Sequence, residues 1–457
     1  MKTQVNPKAA VPVLLFSFVF CLIVDNGFKT MTGPIASGLG ISDNTASLQA
    51  SLAGVIIGIG AVFYAALADS ISIRKLMLTG IALITVGSII GFFGSSVWAL
   101  VLAGRLIQTA GLAAAETLYV IYVTKHLSEK DQKTYLGFST AAFQMGLLVG
   151  ALTSGYIATY ISWTAMFLVP LVLLLAAPVI HKMVPEDEAV EGHLDVFGLL
   201  LIAVFAASLT MYMQAFNWLW LIPTVLGVAL FAWHVASHRG AVVAPEFFRN
   251  GRYVWALVLV LIIYSTQLGF IFLLPFAGST LHGLSQDKSA LLMVPGYVCA
   301  VLVGIFSGLI GKVLSSRAAI FTALGMIISA LIISAVFIES HVGVLILAIV
   351  LFASGFALMY APLVKTALQN ITPAKSGIAI GFYNLTINIA IPLGIAYSAK
   401  LQDMGVTWFA GLSGASTSDG QLYATVLWFL AFVGIAGAII YFFADRYLLT
   451  KETSYVR

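Results

Sequence analysis

The sequence predicts an all-α polytopic membrane protein, and three observations carry that prediction. Hydrophobic types make up 61% of the 457 residues and charged types only 9%, against about 25% charged in soluble domains. The mean hydropathy is +1.04. The apolar residues fall in long runs, each near the ~20 residues with which a helix crosses ~30 Å of hydrocarbon. So few charges leave no way to cover a soluble surface. A cytosolic enzyme, a disordered protein and a nucleic-acid binder are thereby excluded. The net charge of +4 does not restore a nucleic-acid reading, because the basic residues are scattered between apolar runs.

Fourteen runs predict fourteen spans. The first six cover about 10–33, 48–68, 76–94, 97–124, 135–160 and 163–184. Two more cover about 195–215 and 218–238, and the last six about 252–276, 288–311, 317–338, 341–364, 375–400 and 421–444. Each is too long for the ~10-residue alternating strand of a barrel. The first run is too long for the apolar region of a cleaved leader, and it holds Asp25 and Lys29. Cys21 and Cys299 both lie inside apolar runs and form neither a disulfide framework nor a metal site.

Orientation follows from the basic residues. With the N-terminus inside, eighteen of the 22 Lys and Arg fall on the cytoplasmic side, among them Lys2, Lys8, Arg74, Lys75, Lys125, Arg249, Arg252, Arg317 and Arg446. Only Lys288 and Lys400 fall outside, while Lys29 and Arg105 lie within spans. This asymmetry fits the positive-inside rule and an even span count with both termini cytoplasmic. A plasma membrane is the expected address, and a monomer the expected state. The organisation reads as 6+2+6: residues 1–185 as an N-terminal six-helix bundle, 186–251 as cytoplasmic linkers with two extra spans, and 252–457 as a C-terminal six-helix bundle. A weak repeat of glycine spacings and basic loops links the outer blocks, and repeated halves are a layout of secondary transporters.

Ionisable residues inside a bilayer are costly and are functional candidates by default. Asp25 and Lys29 stand i,i+4 in the first span, share a face and can pair. Arg105 and Glu116 are eleven apart in the fourth span, about 20° off one face with a rise of roughly 16 Å. With Gln108, Thr109 and Tyr119 they form a polar stripe. Two buried ion pairs that fix helix register are the structural alternative. In the fifth span Gly146, Gly150 and Gly155 allow close backbone approach, as packing or as a moving interface. The thirteenth span carries Tyr383, Asn384 and Asn388, a polar face suited to a ligand or to interhelical bonds. Tyr264 and Gln267 stand i,i+3 in the ninth span, and Tyr297 lies in the tenth. No phosphate loop, HExxH or nucleophile elbow is present, so no enzyme is expected and no cofactor is assigned.

Four motifs in order resemble the major facilitator superfamily, in its fourteen-helix drug:proton antiporter branch. Asp25 stands nine residues before Pro34, as that family's first-span acid does. The loop motif G-x-L-A-D-R-x-G-R-K is matched by Ala65 to Lys75, keeping Asp69, Arg74 and Lys75 while both glycines and the first arginine are lost. The fourth-span motif R-x-x-Q-G-x-G reads Arg105-Leu-Ile-Gln108-Thr-Ala-Gly111. The antiporter motif G-x-x-x-G-P-x-x-G-G reads Gly146 to Gly155, with Ala151 for the proline and Ser154 for a glycine. The stretches Gly104 to Tyr119, Val24 to Asn26, Phe356 to Pro362 and Gly381 to Asn384 resemble the Gram-positive, staphylococcal-type tetracycline exporters.

The resemblance implies a major facilitator fold in a bacterial cell membrane. It implies efflux of tetracycline, carried with Mg²⁺ as a chelate, and of other amphipathic drugs in exchange for protons. Asp25 is then the expected main proton site, tuned by Lys29, with Glu116 taking a cationic substrate or a second proton. Gln108, Tyr119, Tyr264, Gln267, Tyr383, Asn384 and Asn388 are the expected substrate contacts. Asp69, Arg74, Lys75, Arg105 and the three glycines of the fifth span are expected to serve gating. A monovalent cation (Na⁺ or K⁺)/proton antiporter and a fatty-acid or lipid exporter remain open on the same fold. A channel would need a re-entrant filter or a repeated pore-lining segment, and the sequence shows neither.

Overall fold

Long apolar runs become helices, and their ends fall where capping side chains, glycines and prolines stand. The computed structural model describes residues 7–186, 195–238, 241, 248–369, 371 and 373–455, with Asp69 described in its backbone only. The chain divides into two compact units, Met1–Ala203 and Val204–Arg457.

The first unit contains α1 (Pro7–Lys29), α2 (Thr32–Leu39), α3 (Asp43–Ser70), α4 (Ile73–Phe93), α5 (Trp98–His126) and α6 (Glu129–Tyr160). The 3-10 segments Trp163–Phe167 and Val169–Leu175 and then α7 (Ala177–Met183) complete it. The next helix, α8 (Val196–Ala215), begins before the division and ends after it. The second unit continues with α9 (Leu221–Ser237), α10 (Gly251–His282), α11 (Gln286–Leu291), α12 (Val294–Ile305) and α13 (Ser307–Val313). It ends with α14 (Ser316–Val336), α15 (Val342–Ala367), α16 (Pro373–Asp403) and α17 (Ser418–Tyr455).

Serine side chains start several of these helices. Ser42 accepts from the Thr45 amide at 3.1 Å before α3, and Ser315 accepts from the Ala318 amide at 3.2 Å before α14. Each satisfies one of the amides that a helix start leaves without a carbonyl. At the other end of α10, Gly283 sits at φ +61, where a side chain would be strained.

Twelve helices among the described residues are long and apolar enough to cross a membrane. The other two of the fourteen expected spans fall on α6 and α16, which are 32 and 31 residues long. Three expected spans are interrupted rather than continuous. The run 10–33 breaks after Lys29, where the amides of Thr30 and Met31 turn back onto the carbonyls of Gly27 and Phe28. The run 163–184 breaks into 3-10 and α segments at Pro170 and Pro178, each of which opens a new segment. The run 288–311 breaks before Pro295, which opens α12, and again at Phe306. A proline has no amide to continue a preceding helix but fits the first turn of the next.

The two units repeat one packing pattern. In the first, α4 lies along α5, α1 along α6 and α3 along α5. In the second, α14 lies along α15, α10 along α16 and α12 along α15. Glycines allow the α1–α6 and α10–α16 crossings. A Cβ on Gly150 would meet the Ile23 carbonyl oxygen at 2.7 Å and the Gly27 amide at 2.9 Å. A Cβ on Gly394 would collide with the Ser265 carbonyl and stand 3.2 Å from the Gly269 amide. These backbones pack at a distance that no larger residue permits.

Candidate functional site

In the first unit, α1 and α5 bring Asp25, Lys29, Arg105 and Gln108 together. One carboxylate oxygen of Asp25 accepts from Arg105 Nη2 at 2.6 Å, and the other pairs with Lys29. Lys29 also donates to Asn26 Oδ1 at 3.3 Å. Arg105 Nη1 donates to Gln108 Oε1 at 3.3 Å, and Gln108 Nε2 passes the chain on to Ser88 Oγ at 3.0 Å. The guanidinium lies 4.5 Å from the centre of the Phe28 ring, a favourable contact for a desolvated cation. Arg105 is fully buried.

Glu116 does not pair with Arg105. Eleven residues along a helix put it roughly 16 Å further on, and Asp25 on the neighbouring helix is the nearer anion. Glu116 Oε1 is enclosed and has no hydrogen-bond partner among the described residues, while the residue as a whole is only partly buried. One turn on, Tyr119 is buried, stacks on Phe18 at 5.1 Å and donates to the Tyr135 carbonyl at 2.7 Å. That bond ties α5 to α6, so its hydroxyl is already engaged. Gly146 and Gly150 face α1, against Leu22 and against Ile23 and Gly27 respectively. Gly155 lies further along α6 and is buried; its neighbour Ser154 meets Thr30 at 2.5 Å.

At the start of α4, Arg74 Nε donates to the Val184 carbonyl at 2.6 Å. Arg74 Nη1 and Lys75 Nζ reach Glu186 at 3.4 and 3.0 Å. The hydrogen bond and charge of Lys75, with help from Arg74, hold the Glu186 carboxyl below its ordinary range. The Asp69 side chain lies outside the described residues. Lys125 on α5 donates to the carbonyl of the preceding residue, Ala68, at 3.0 Å.

In the second unit, α10, α15 and α16 bring together Tyr264, Tyr360, Tyr383 and Asn384. Tyr264 stands edge-on to Phe356 at 5.1 Å, and the rings of Tyr360 and Tyr383 are 6.3 Å apart. The Tyr360 hydroxyl reaches Asn384 Oδ1 at 3.4 Å. Tyr383 is 1% exposed, and its hydroxyl has no partner among the described residues. Gln267 and Asn388 are partly buried on α10 and α16. Tyr360 and Glu186 were not singled out from the sequence. An aromatic residue inside an apolar span reads as packing, whereas Glu186 belongs to the visible acidic stretch after Pro185.

The crossing glycines allow the sequence of one unit to be matched to that of the other, position by position. Two residues before Gly27 the first unit has Asp25, and two before Gly269 the second has Gln267. On α5, a Cβ on Gly111 would meet the Ile84 side chain of α4 at 2.7 Å, and on α15 a Cβ on Gly355 would meet the Ile327 side chain of α14 at 2.8 Å. Five residues after these glycines stand Glu116 and Tyr360. The repeat thus places two acids in one unit where the other has an amide and a phenol.

Apolar helices long enough to cross a membrane, paired alike in two units with polar groups at matched positions, define a polytopic membrane protein built on a repeat. The Major Facilitator Superfamily profile matches residues 14–395, and the chain belongs to that superfamily. It is 24% identical over 298 residues to MdtD of Yersinia pestis (strain Pestoides F), a protein named for multidrug resistance. That alignment covers 62% of this chain and 63% of the relative. The fold is shared with an auto-inhibited POT family peptide transporter, at TM-score 0.71 and 14% identity over 95% of this chain and 96% of that one. It is shared with a D-xylose–proton symporter, at TM-score 0.68 and 14% identity over 95% and 97%.

Proposed function

We propose that the protein is a proton-coupled exporter of amphipathic, cationic small molecules, with the tetracycline–Mg²⁺ chelate as the leading substrate. In this reading all fourteen expected spans cross a bacterial plasma membrane, and both termini are cytoplasmic. Asp25, Lys29, Arg105 and Glu116 couple transport to protons, while Tyr264, Gln267, Tyr360, Tyr383, Asn384 and Asn388 contact substrate.

One observation carries the reading. The first unit buries an ion-paired carboxylate, two cations and a carboxylate oxygen without a partner. Placing a charge in a membrane interior costs roughly 2.5–3.5 kcal/mol per residue even on the lenient scale. A set kept at that cost inside a span is a functional candidate by default. A proton and a monocation that compete for one carboxylate exchange with each other, because a ligand shifts two states only through its differential affinity for them. The likeness to MdtD supports a drug as substrate, and the phenol and amide groups of the second unit suit the oxygen-rich rim of a tetracycline.

The test is uptake into everted membrane vesicles under an imposed pH gradient. The panel comprises tetracycline–Mg²⁺, lipophilic cations, Na⁺, K⁺ and fatty acids. Uphill accumulation of tetracycline–Mg²⁺ that collapses with the gradient is expected. Collapse of the gradient by Na⁺ or K⁺ alone, with no drug accumulation, would replace this reading with a cation/proton antiporter.

A further inference from the structure

The two acids of the first unit's spans, Asp25 buried and Glu116 with one enclosed oxygen, are in opposite situations. Asp25 is saturated with cations: Arg105 Nη2 at 2.6 Å on one oxygen and Lys29 on the other. Glu116 has an enclosed oxygen that meets no donor among the described residues. We infer that Glu116 carries the exchangeable proton, and that Asp25 is a permanent counter-ion that keeps Arg105 and Lys29 in place. The inference rests on the proposed coupled exporter and assigns the proton within it.

Protonating Asp25 would strip Arg105 and Lys29 of their anion. Removing one partner of a buried pair is strongly destabilising, because a charge is left unpaired. Protonating Glu116 breaks no contact among the described residues. It also removes a charge from a place where an ionised carboxylate would have up to about four acceptor sites to satisfy. The neutral acid is therefore the resting form of Glu116, and the carboxylate the resting form of Asp25.

The other groups around Glu116 agree with this division. The charged groups within electrostatic reach of Glu116 are Asp25 and Lys29 on α1 and Arg105 on its own helix, with the Cys21 thiol of α1 also in reach. The Tyr64 hydroxyl on α3 is committed to the Ala110 carbonyl at 3.0 Å. On α6, Tyr135 offers its backbone carbonyl to Tyr119. The ionisable residues of α4, Arg74 and Lys75, stand at its first turn. With Glu116 neutral, the set holds two cations and one anion. When the acid releases its proton to water and becomes a carboxylate, the set becomes neutral. A monocationic substrate arriving at Glu116 takes the place of that proton one for one, so the proton-loaded and substrate-loaded states carry the same net charge.

The test reads the proton itself. A protonated carboxyl has a C=O stretch that is separate from carboxylate bands and shifts in D2O. Infrared difference spectra of the full-length protein in lipid nanodiscs should show one such band at neutral pH, lost as the pH is made alkaline. Glu116→Gln should abolish it, and Glu116→Asp should keep it at a shifted frequency, which also reports on the site should the Gln variant fail to fold. Asp25→Glu should leave it in place. A band that survives in Glu116→Gln, or no band in the wild type, overturns the assignment. Adding tetracycline–Mg²⁺ should bleach the band. A band that depends on Glu116 but responds to no substrate in the panel leaves the proton site standing and removes the drug reading.

Discussion

The two units share a helix-pairing pattern and differ in chemistry. α1 crosses α6 at Gly27 and Gly150, and α10 crosses α16 at Gly269 and Gly394. At matched positions the first unit has Asp25 and Glu116, and the second has Gln267 and Tyr360. The described spans of the second unit have their charges at their ends, as with Arg252, Arg317 and Asp445. There the balance reverses. Asp445 on α17 is 3% exposed and accepts from Arg252 Nη1 at 3.0 Å and Arg317 Nε at 2.6 Å. Its counterpart in the first unit, Arg74 with Glu186, is a surface contact with the acid 49% exposed. One unit thus keeps its buried ions at mid-span and the other at its end. A repeated scaffold fixes where polar groups can stand, and the choice of acid, amide or phenol at each place decides whether the place titrates.

The largest effects should come from the buried acids. Asp25→Asn and Asp445→Asn each remove the anion of a two-cation node and should lower stability by about 3–5 kcal/mol, read as the thermal unfolding midpoint in detergent. Glu186→Gln should leave that midpoint unchanged at neutral pH. Glu186 is held below its ordinary range, so its ion pairs are present above the ordinary carboxylate range and are lost as the pH falls through the lowered value. A large shift in Glu186→Gln would show that burial is not what separates the two nodes.

Next come the crossings. Gly394→Ala would drive a Cβ into the Ser265 carbonyl, and Gly150→Ala would place one 2.7 Å from the Ile23 carbonyl. Overpacking of this kind costs roughly 1–3 kcal/mol. The α10–α16 variant should lose more stability than the α1–α6 variant, and both should slow transport. Equal stability losses would mean that the two crossings yield equally.

A smaller effect is expected from the phenols. Tyr360→Phe removes one neutral hydroxyl, worth about 1 kcal/mol. It should raise KM for tetracycline–Mg²⁺ about fivefold while the dependence of transport on the pH gradient is unchanged. Loss of that dependence would contradict the division of roles between the units.

The smallest effect concerns Glu339, on the turn between α14 and α15. Burial pushes its carboxyl up, but hydrogen bonds from the Thr417 and Ser416 hydroxyls and amides outweigh this and hold it at about 2. The clasp between this turn and the start of α17 is therefore complete at neutral pH and is lost only as the pH falls through about 2. Hydrogen exchange at the Ser416 and Thr417 amides should be slow and independent of protonation from neutral to mildly acidic pH, and faster in Glu339→Gln.

Much of this was legible in the sequence. The runs located the helices, and Asp25, Lys29, Arg105 and Glu116 stood out because charge is rare in such runs. The i,i+4 pairing of Asp25 with Lys29 is local and could be read directly. The bond from Arg105 to Asp25 crosses eighty positions of the chain, and helical periodicity carries no information about which neighbour a residue meets. The breaks at Pro170, Pro178 and Pro295 were marked by the prolines themselves but were overridden by the apolar character of the runs. Tyr360 became visible only through the register of Gly111 with Gly355, which depends on packing. Arg252 and Arg317 read as loop charges of the positive-inside kind, and Asp445 was not singled out, until three helices brought them together.

The central claim is that the first unit couples and the second recognises. The measurement that tests it most directly compares the wild type with Glu116→Gln in everted vesicles, following tetracycline–Mg²⁺ both as gradient-driven accumulation and as exchange across a membrane with no pH gradient. The account predicts that Glu116→Gln loses uphill accumulation and keeps exchange at a raised KM, because the neutral amide no longer balances the charge of the monocation. Uphill accumulation at the wild-type rate in Glu116→Gln would contradict it.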